Sequence, residues 1–177
     1  MDRIQKALDK AKAKHTAASP NNSRVQNNQE ITVPHDPLIK EIDDISYAQT
    51  KVKKVSRESL DENRIIASFY NNPQSAVFRM LRTQVLQKMR SKKYRSLAIT
   101  SPTAGEGKSL IASNLAIAIA MELNQTVLLV DMDLRNPSIS KYFDLAVRSG
   151  LKDYLEDKTP LTEVLVNPGI KRLVILP

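Results

Sequence analysis

The chain of 177 residues contains no cysteine and no tryptophan, only four glycines, and 5% aromatic residues. Without cysteine it can build neither a disulfide scaffold nor a thiolate zinc site, which fits a reducing compartment. No apolar run reaches the roughly 18 residues that a membrane-spanning helix requires. The first residues, MDRIQKALDK, are charged and lack the apolar core of a secretory signal. With so few aromatic residues, a stacking platform for single-stranded nucleic acid is not available either.

Charge is present, but unevenly. Residues 1–95 hold 19 of the 27 Lys and Arg against 10 of the 19 Asp and Glu, a net of +9. Residues 96–177 carry a net of −1, so the overall +8 belongs to the first half. A basic nucleic-acid binder would carry such an excess. No recognition-helix motif accompanies it, and a nucleic-acid partner is not expected.

Residues 1–14 read as an amphipathic helix, with Ile4, Leu8 and Ala11 on one face and Lys6, Lys10 and Lys14 around the rest. A solvated helix, a partner-helix contact and an anionic lipid surface all suit this pattern. Residues 15–63 are expected as flexible linker. The stretch 15–37 is rich in Asn, Gln, Ser and Pro without apolar period, while 38–72 is mixed, with short extended pieces equally compatible. His15 and His35 have no neighbours at ligand spacing and read as bystanders. Asn72-Pro73 resembles a helix start, and a helix over 73–90 follows with Val77, Leu81, Val85 and Met89 on one face and Arg79 and Arg82 outside it. The basic run Arg90–Arg95 ends it.

An α/β rhythm occupies the remainder. Ser96–Thr100 (SLAIT) is expected as a strand, Lys108–Leu123 as a helix apolar on most sides, and Thr126–Val130 as a buried strand. Weaker helical patterns follow around Ile139–Leu145 and Leu151–Val166, then a strand over Arg172–Leu176. The expected fold class is α/β, an incomplete parallel sheet of P-loop NTPase type with helices on both faces, behind a helical and partly flexible N-terminal region.

Two of the four glycines fall in TSPTAGEGKS, Thr100–Ser109, ahead of the apolar helix. A loop that turns its N–H groups around a phosphate needs unusual φ/ψ, which glycine supplies, and the following helix start adds partial positive charge. Thr103, Ala104, Gly105, Glu106, Gly107, Lys108, Ser109 and Leu110 are therefore the candidate nucleotide-binding residues. Lys108 suits the β- and γ-phosphates and the Ser109 hydroxyl suits Mg²⁺. The full phosphate-loop pattern asks for glycine six residues before the lysine, where Pro102 stands.

A second motif, VLLVDMDLR (Val127–Arg135), delivers Asp131 and Asp133 at the end of an apolar strand, where an open α/β sheet binds its ligands. At i and i+2 both are expected to point to one side. Two carboxylates beside a triphosphate imply Mg²⁺. One can orient the ion, directly or through water, and the other can accept a proton from an attacking hydroxyl. Arg135 can stabilise phosphate charge or pair with the carboxylates. The candidate catalytic set is thus Lys108, Asp131, Asp133 and Arg135; the candidate metal ligands are Ser109, Asp131 and Asp133; the expected cofactors are ATP and Mg²⁺.

GEGKS (Gly105–Ser109) followed by VLLVDMDLRNP (Val127–Pro137) resembles the bacterial tyrosine kinases, or BY-kinases, of polysaccharide biosynthesis and export. DRIQKALDKA and FRMLRTQVLQ (Phe78–Gln87) resemble the corresponding stretches of polysaccharide-export autokinases, so the likeness covers 2–14 and about 64–177. It makes 64–177 the N-terminal part of a nucleotide-binding kinase domain, with the helix at 73–90 for docking. It implies ATP- and Mg²⁺-dependent transfer of the γ-phosphate to tyrosine, on the protein itself and on other proteins. It also implies a homo-oligomer, a membrane-embedded chain-length regulator as activating partner, and a cytoplasmic location, peripheral at the inner face of the cell membrane. The family's Walker B strand and C-terminal tyrosine cluster have no counterpart in these residues, and Ala76 stands where its Glu-x-x-Arg-x-x-Arg motif has glutamate before Arg79 and Arg82. The expectation is a product truncated before Walker B, unstable, weakly active or partner-dependent by itself. Two alternatives stay open. A ParA/MinD-type ATPase would carry a lysine at Thr103; a non-catalytic nucleotide-binding adaptor of a membrane polysaccharide complex would need no Walker B.

Overall fold

The computed structural model describes residues 50–177. The helix expected over 1–14, most of the expected linker, and His15 and His35 lie outside the described residues. In chain order the elements are β1 (Lys51–Val52), α1 (Arg57–Glu62), α2 (Ser75–Lys92), α3 (Lys108–Ala120), β2 (Val127–Val130), α4 (Ile139–Tyr142), α5 (Leu151–Leu155), α6 (Leu161–Val164), β3 (Val166–Asn167) and β4 (Leu173–Leu176). The strands form one sheet in the order β1-β3-β4-β2. β2 runs parallel to β4 from Val127 opposite Leu173 to Val130 opposite Leu176, β1 runs parallel to β3, and β3 meets β4 antiparallel. The chain is thus a mixed α/β protein with a mostly parallel sheet, as its apolar strand runs predict.

α3 is the centre of the core. Its sequence, KSLIASNLAIAIA, is apolar on almost every side, and residues 113–118 and 120 are all buried. It lies against β2 and β4, where Ile117, Leu173 and Ile175 are fully enclosed together with Phe143 and Ile65. One polar residue sits in this contact. Asn114, fully buried, accepts N–H bonds from Ile66 (2.8 Å) and Ala67 (3.0 Å) and donates to the carbonyls of Arg64 (3.1 Å) and Leu110 (3.0 Å). All four of its bonding positions are filled, so the amide joins the 64–67 segment to α3 at no desolvation loss.

Several expectations need correction. Residues 51–63 are not linker: Lys51 and Val52 pair with β3, Ser56 caps α1 by accepting the Ser59 N–H, and Leu60 is buried. Two-residue strands and a six-residue helix are too short for a periodic signal, which is why composition alone favours linker there. Ser96–Thr100 does not join the sheet; Leu97 is half exposed, and β2 pairs only with β4 among the described residues. An apolar run expresses a preference for burial, whereas a strand exists only where a partner completes its ladder. Pro160 divides the helical pattern at 151–166 into α5 and α6, and Val166 continues as strand.

α2 starts two residues later than expected, with Gln74 at its N-cap, while the Asn72 side chain accepts the Gln74 N–H at 2.9 Å. It ends at Lys92 because Lys93 turns left-handed (φ 56°). Its inward face is wider than the predicted stripe, of which Leu81, Val85 and Met89 are half-buried. Val77 is exposed, Phe78 packs on the core and Leu86 is buried. Arg82 is turned inward as well, bonding the Ala118 carbonyl at 3.3 Å and the Glu122 carboxylate at 2.7 Å. The long aliphatic stem lets an arginine lie on the apolar side while its head finds partners at the end of the neighbouring helix.

Candidate functional site

The site forms where two loops meet above the sheet. The phosphate loop leads into α3 through Gly105 (φ 81°) and Gly107 (φ 86°), the second of which is the N-cap of the helix. A Cβ built on either glycine would meet nothing within 4 Å. Crowding therefore does not select glycine here; the left-handed backbone does, and the space above the loop stays open. Thr103, Ala104, Gly105 and Glu106 are exposed, while Lys108, Ser109 and Leu110 are half-buried in the first turn of α3. Within the loop Ser101 donates to the Thr103 carbonyl (2.9 Å) and the Thr103 hydroxyl to Glu106 (2.5 Å). α3 has 13 residues, long enough for its N-terminal partial positive charge to add to that of Lys108.

The facing loop begins where β2 stops at Val130. Asp131 is only 4% exposed, and its carboxylate accepts three backbone N–H bonds: Asp133 at 3.1 Å, Ser138 at 2.8 Å and Ile139 at 2.9 Å. Asp133 points the other way, to Lys108, whose Nζ lies 3.0 Å from its Oδ2. The Lys108 ammonium, with help from the Asn136 N–H, holds the Asp133 carboxyl below its ordinary value. The alternation that would put both carboxylates on one side lapses because the backbone leaves the strand before Asp131. Arg135 is exposed and makes no ion pair among the described residues.

The structure thus pairs Lys108 with Asp133 beside Ser109 in the first turn of α3, buries Asp131 among backbone N–H groups, and leaves Arg135 exposed. It also adds a residue outside both motifs. Ser138 donates its hydroxyl to Ser109 Oγ at 2.8 Å. Nothing in the local sequence marks it, since the contact spans 29 positions.

The donor set is one of hard oxygens, the Ser109 hydroxyl and the Asp133 carboxylate, beside an ammonium and a helix N-terminus. That suits Mg²⁺ held by one or two carboxylates together with phosphate oxygens better than a cage of protein ligands. No cluster of three or more His, Cys, Asp or Glu that could hold a metal occurs among the described residues.

No protein-family model matches the chain. Its relatives are nevertheless named consistently. It is 34% identical over 102 residues to the tyrosine-protein kinase YwqD of Bacillus subtilis, a stretch covering 58% of this chain and 43% of that protein. It is 34% identical over 101 residues to the tyrosine-protein kinase CpsD of Streptococcus agalactiae, covering 56% of this chain and 43% of that one. Its fold superposes on the BceF tyrosine kinase domain with a TM-score of 0.56 and 28% identity, over 72% of this chain and 55% of that domain. The homologues are bacterial tyrosine-protein kinases. The matched stretch is less than half the length of either curated relative.

Proposed function

We propose that the chain binds ATP with Mg²⁺ at the loop 103–110 and serves as a bacterial protein-tyrosine autokinase in the regulation of exopolysaccharide or capsule polymerisation and export. The observation that carries this reading is the convergence of Lys108, Ser109 and Asp133 at the N-terminus of α3, with Lys108 and Asp133 3.0 Å apart. The names of the relatives support the kinase class.

Each residue then has a task set by its position. The N–H groups of Gly105–Ser109 and the start of α3 receive phosphate oxygens, and Lys108 exchanges its carboxylate partner for them. Ser109 and Asp133 would hold Mg²⁺, which when bound neutralises phosphate charge and fixes its geometry. Asp133, freed from Lys108 as the lysine turns to phosphate, would give one carboxylate oxygen to the cation and have the other free to orient an incoming tyrosine hydroxyl. Asp131 keeps the loop in shape. Arg135, exposed at the rim, is available to a phosphate or to an acceptor chain. A cytoplasmic location at the inner membrane face, self-association and activation by a membrane-embedded chain-length regulator follow from the family likeness. No helix among the described residues is long and apolar enough to cross a membrane.

The experiment is incubation of the full chain with Mg²⁺ and γ-labelled ATP, with and without the cytoplasmic end of a chain-length regulator, and Lys108→Ala as control. Label on tyrosine that disappears in the control is the expected result. Free phosphate without labelled tyrosine would assign the chain to the ParA/MinD-type ATPases instead. Nucleotide binding with neither product would make it an adaptor.

A further inference from the structure

Ser138 lies outside both motifs, yet it is the point at which they are joined. Its backbone N–H donates to Asp131 Oδ2 at 2.8 Å and its hydroxyl to Ser109 Oγ at 2.8 Å. Asp131, buried and bound also to the N–H groups of Asp133 and Ile139, holds the 131–139 segment so that this hydroxyl faces α3. Ile139, fixed in the core next to it, prevents the segment from drifting. Among the described residues one other polar side-chain contact joins the two loops, the Lys108–Asp133 pair.

The chemistry of a hydroxyl gives this contact a direction. Ser109 Oγ has one proton and two lone pairs. To face a divalent cation it must turn a lone pair toward the ion and send its proton elsewhere. In the present arrangement it accepts a hydrogen bond from Ser138. Rotation of the two hydroxyls reverses the bond without moving a heavy atom, and Ser138 Oγ, already at 2.8 Å, becomes the acceptor. We infer that Ser138 is a positioning residue for the cation-binding hydroxyl of Ser109: it accepts the hydrogen bond that Ser109 then donates, fixes that side chain's rotamer, and transmits to it the placement imposed by Asp131. Asp131 thereby acts on the cation site through Ser138 rather than by contact. The inference rests on the ATP–Mg²⁺ reading of the site, and partners that orient metal ligands commonly change metal affinity by tenfold or more when removed.

The test reads the affinity of fluorescent N-methylanthraniloyl-ADP for the full chain with and without Mg²⁺, in the wild type, Ser138→Ala, Ser138→Thr, Ser109→Ala and the Ser109→Ala/Ser138→Ala double variant. The quantity of interest is the ratio of the two dissociation constants, the gain due to Mg²⁺. We expect Ser138→Ala to reduce that ratio about tenfold, Ser138→Thr to restore it, and the double variant to fall no further than Ser109→Ala alone. An unchanged ratio in Ser138→Ala, or equal weakening with and without Mg²⁺, would overturn the inference and leave the nucleotide reading intact. Independent losses in the double variant would overturn it too. A wild type that binds no nucleotide, or gains nothing from Mg²⁺, removes the parent reading and this inference together. Should Ser138→Ala fail to fold, Ser138→Gly carries the same test, since it keeps the backbone N–H and lacks the hydroxyl.

Discussion

The two loops of the site are built on opposite principles. The acidic loop, 131–139, is organised from within by one buried carboxylate holding three backbone N–H groups. The phosphate loop, 102–107, is largely exposed, and its internal side-chain bonds are two short-range ones at its surface. One side is a finished template. The other is an open turn whose backbone donors, on our proposal, receive an anion. Pre-forming only the acidic side keeps the two carboxylates apart in the absence of cation, one buried among N–H groups and one against Lys108, so neither repels the other.

The comparison breaks most severely at Asp131. Asp131→Ala leaves three N–H groups without their acceptor, and we expect about 3 kcal/mol of lost stability by urea unfolding, together with loss of nucleotide binding; a cost indistinguishable from that of an exposed alanine substitution would show that the acidic loop is not held this way. Gly107→Ala comes next. It forces a side chain into φ 86° at the start of α3 and should cost about 1–2 kcal/mol, without the steric penalty of a crowded site. Thr103→Ala, on the exposed loop, should stay within about 0.5 kcal/mol. Finally, the Lys108–Asp133 pair has a pH signature of fixed sign. Because the folded state holds the Asp133 pKa below its ordinary 3.8, the contribution is present at neutral pH and fades as the pH falls through that lowered pKa. Stability curves of the wild type and Asp133→Asn should therefore run parallel near neutrality and converge in acid; a gap that widens in acid would reverse the assignment.

The site was legible where a residue's chemistry is enforced by its neighbours in sequence. Two scarce glycines, Gly105 and Gly107, ahead of Lys108 and Ser109, identify the phosphate loop, and all-round apolarity identifies α3 as buried. The paired aspartates were legible as a pair and not as individuals. Period-two alternation applies to a strand, and the strand ends at Val130, so Asp131 and Asp133 part ways. The roles of Ser138 and Asn114 could not be seen, because Ser109 lies 29 positions from Ser138 and the 64–67 segment about 50 from Asn114. The strand expected at 96–100 illustrates the reverse error: a local preference without a partner. Arg82 shows the same limit on a helix, where a charged side chain expected outside turns in toward Glu122.

By itself, then, the sequence determined the mixed α/β character, the buried central helix and the left-handed glycine turn that leads into it. These depend on local backbone freedom, periodicity and side-chain type, all of which act over a few residues. Tertiary structure alone decided which aspartate is buried among backbone N–H groups and which one pairs with Lys108, which serine lies against Ser109, and which segments enter the sheet. Those outcomes depend on who stands opposite in space, and a hydrogen bond or a ladder has no existence until its partner arrives.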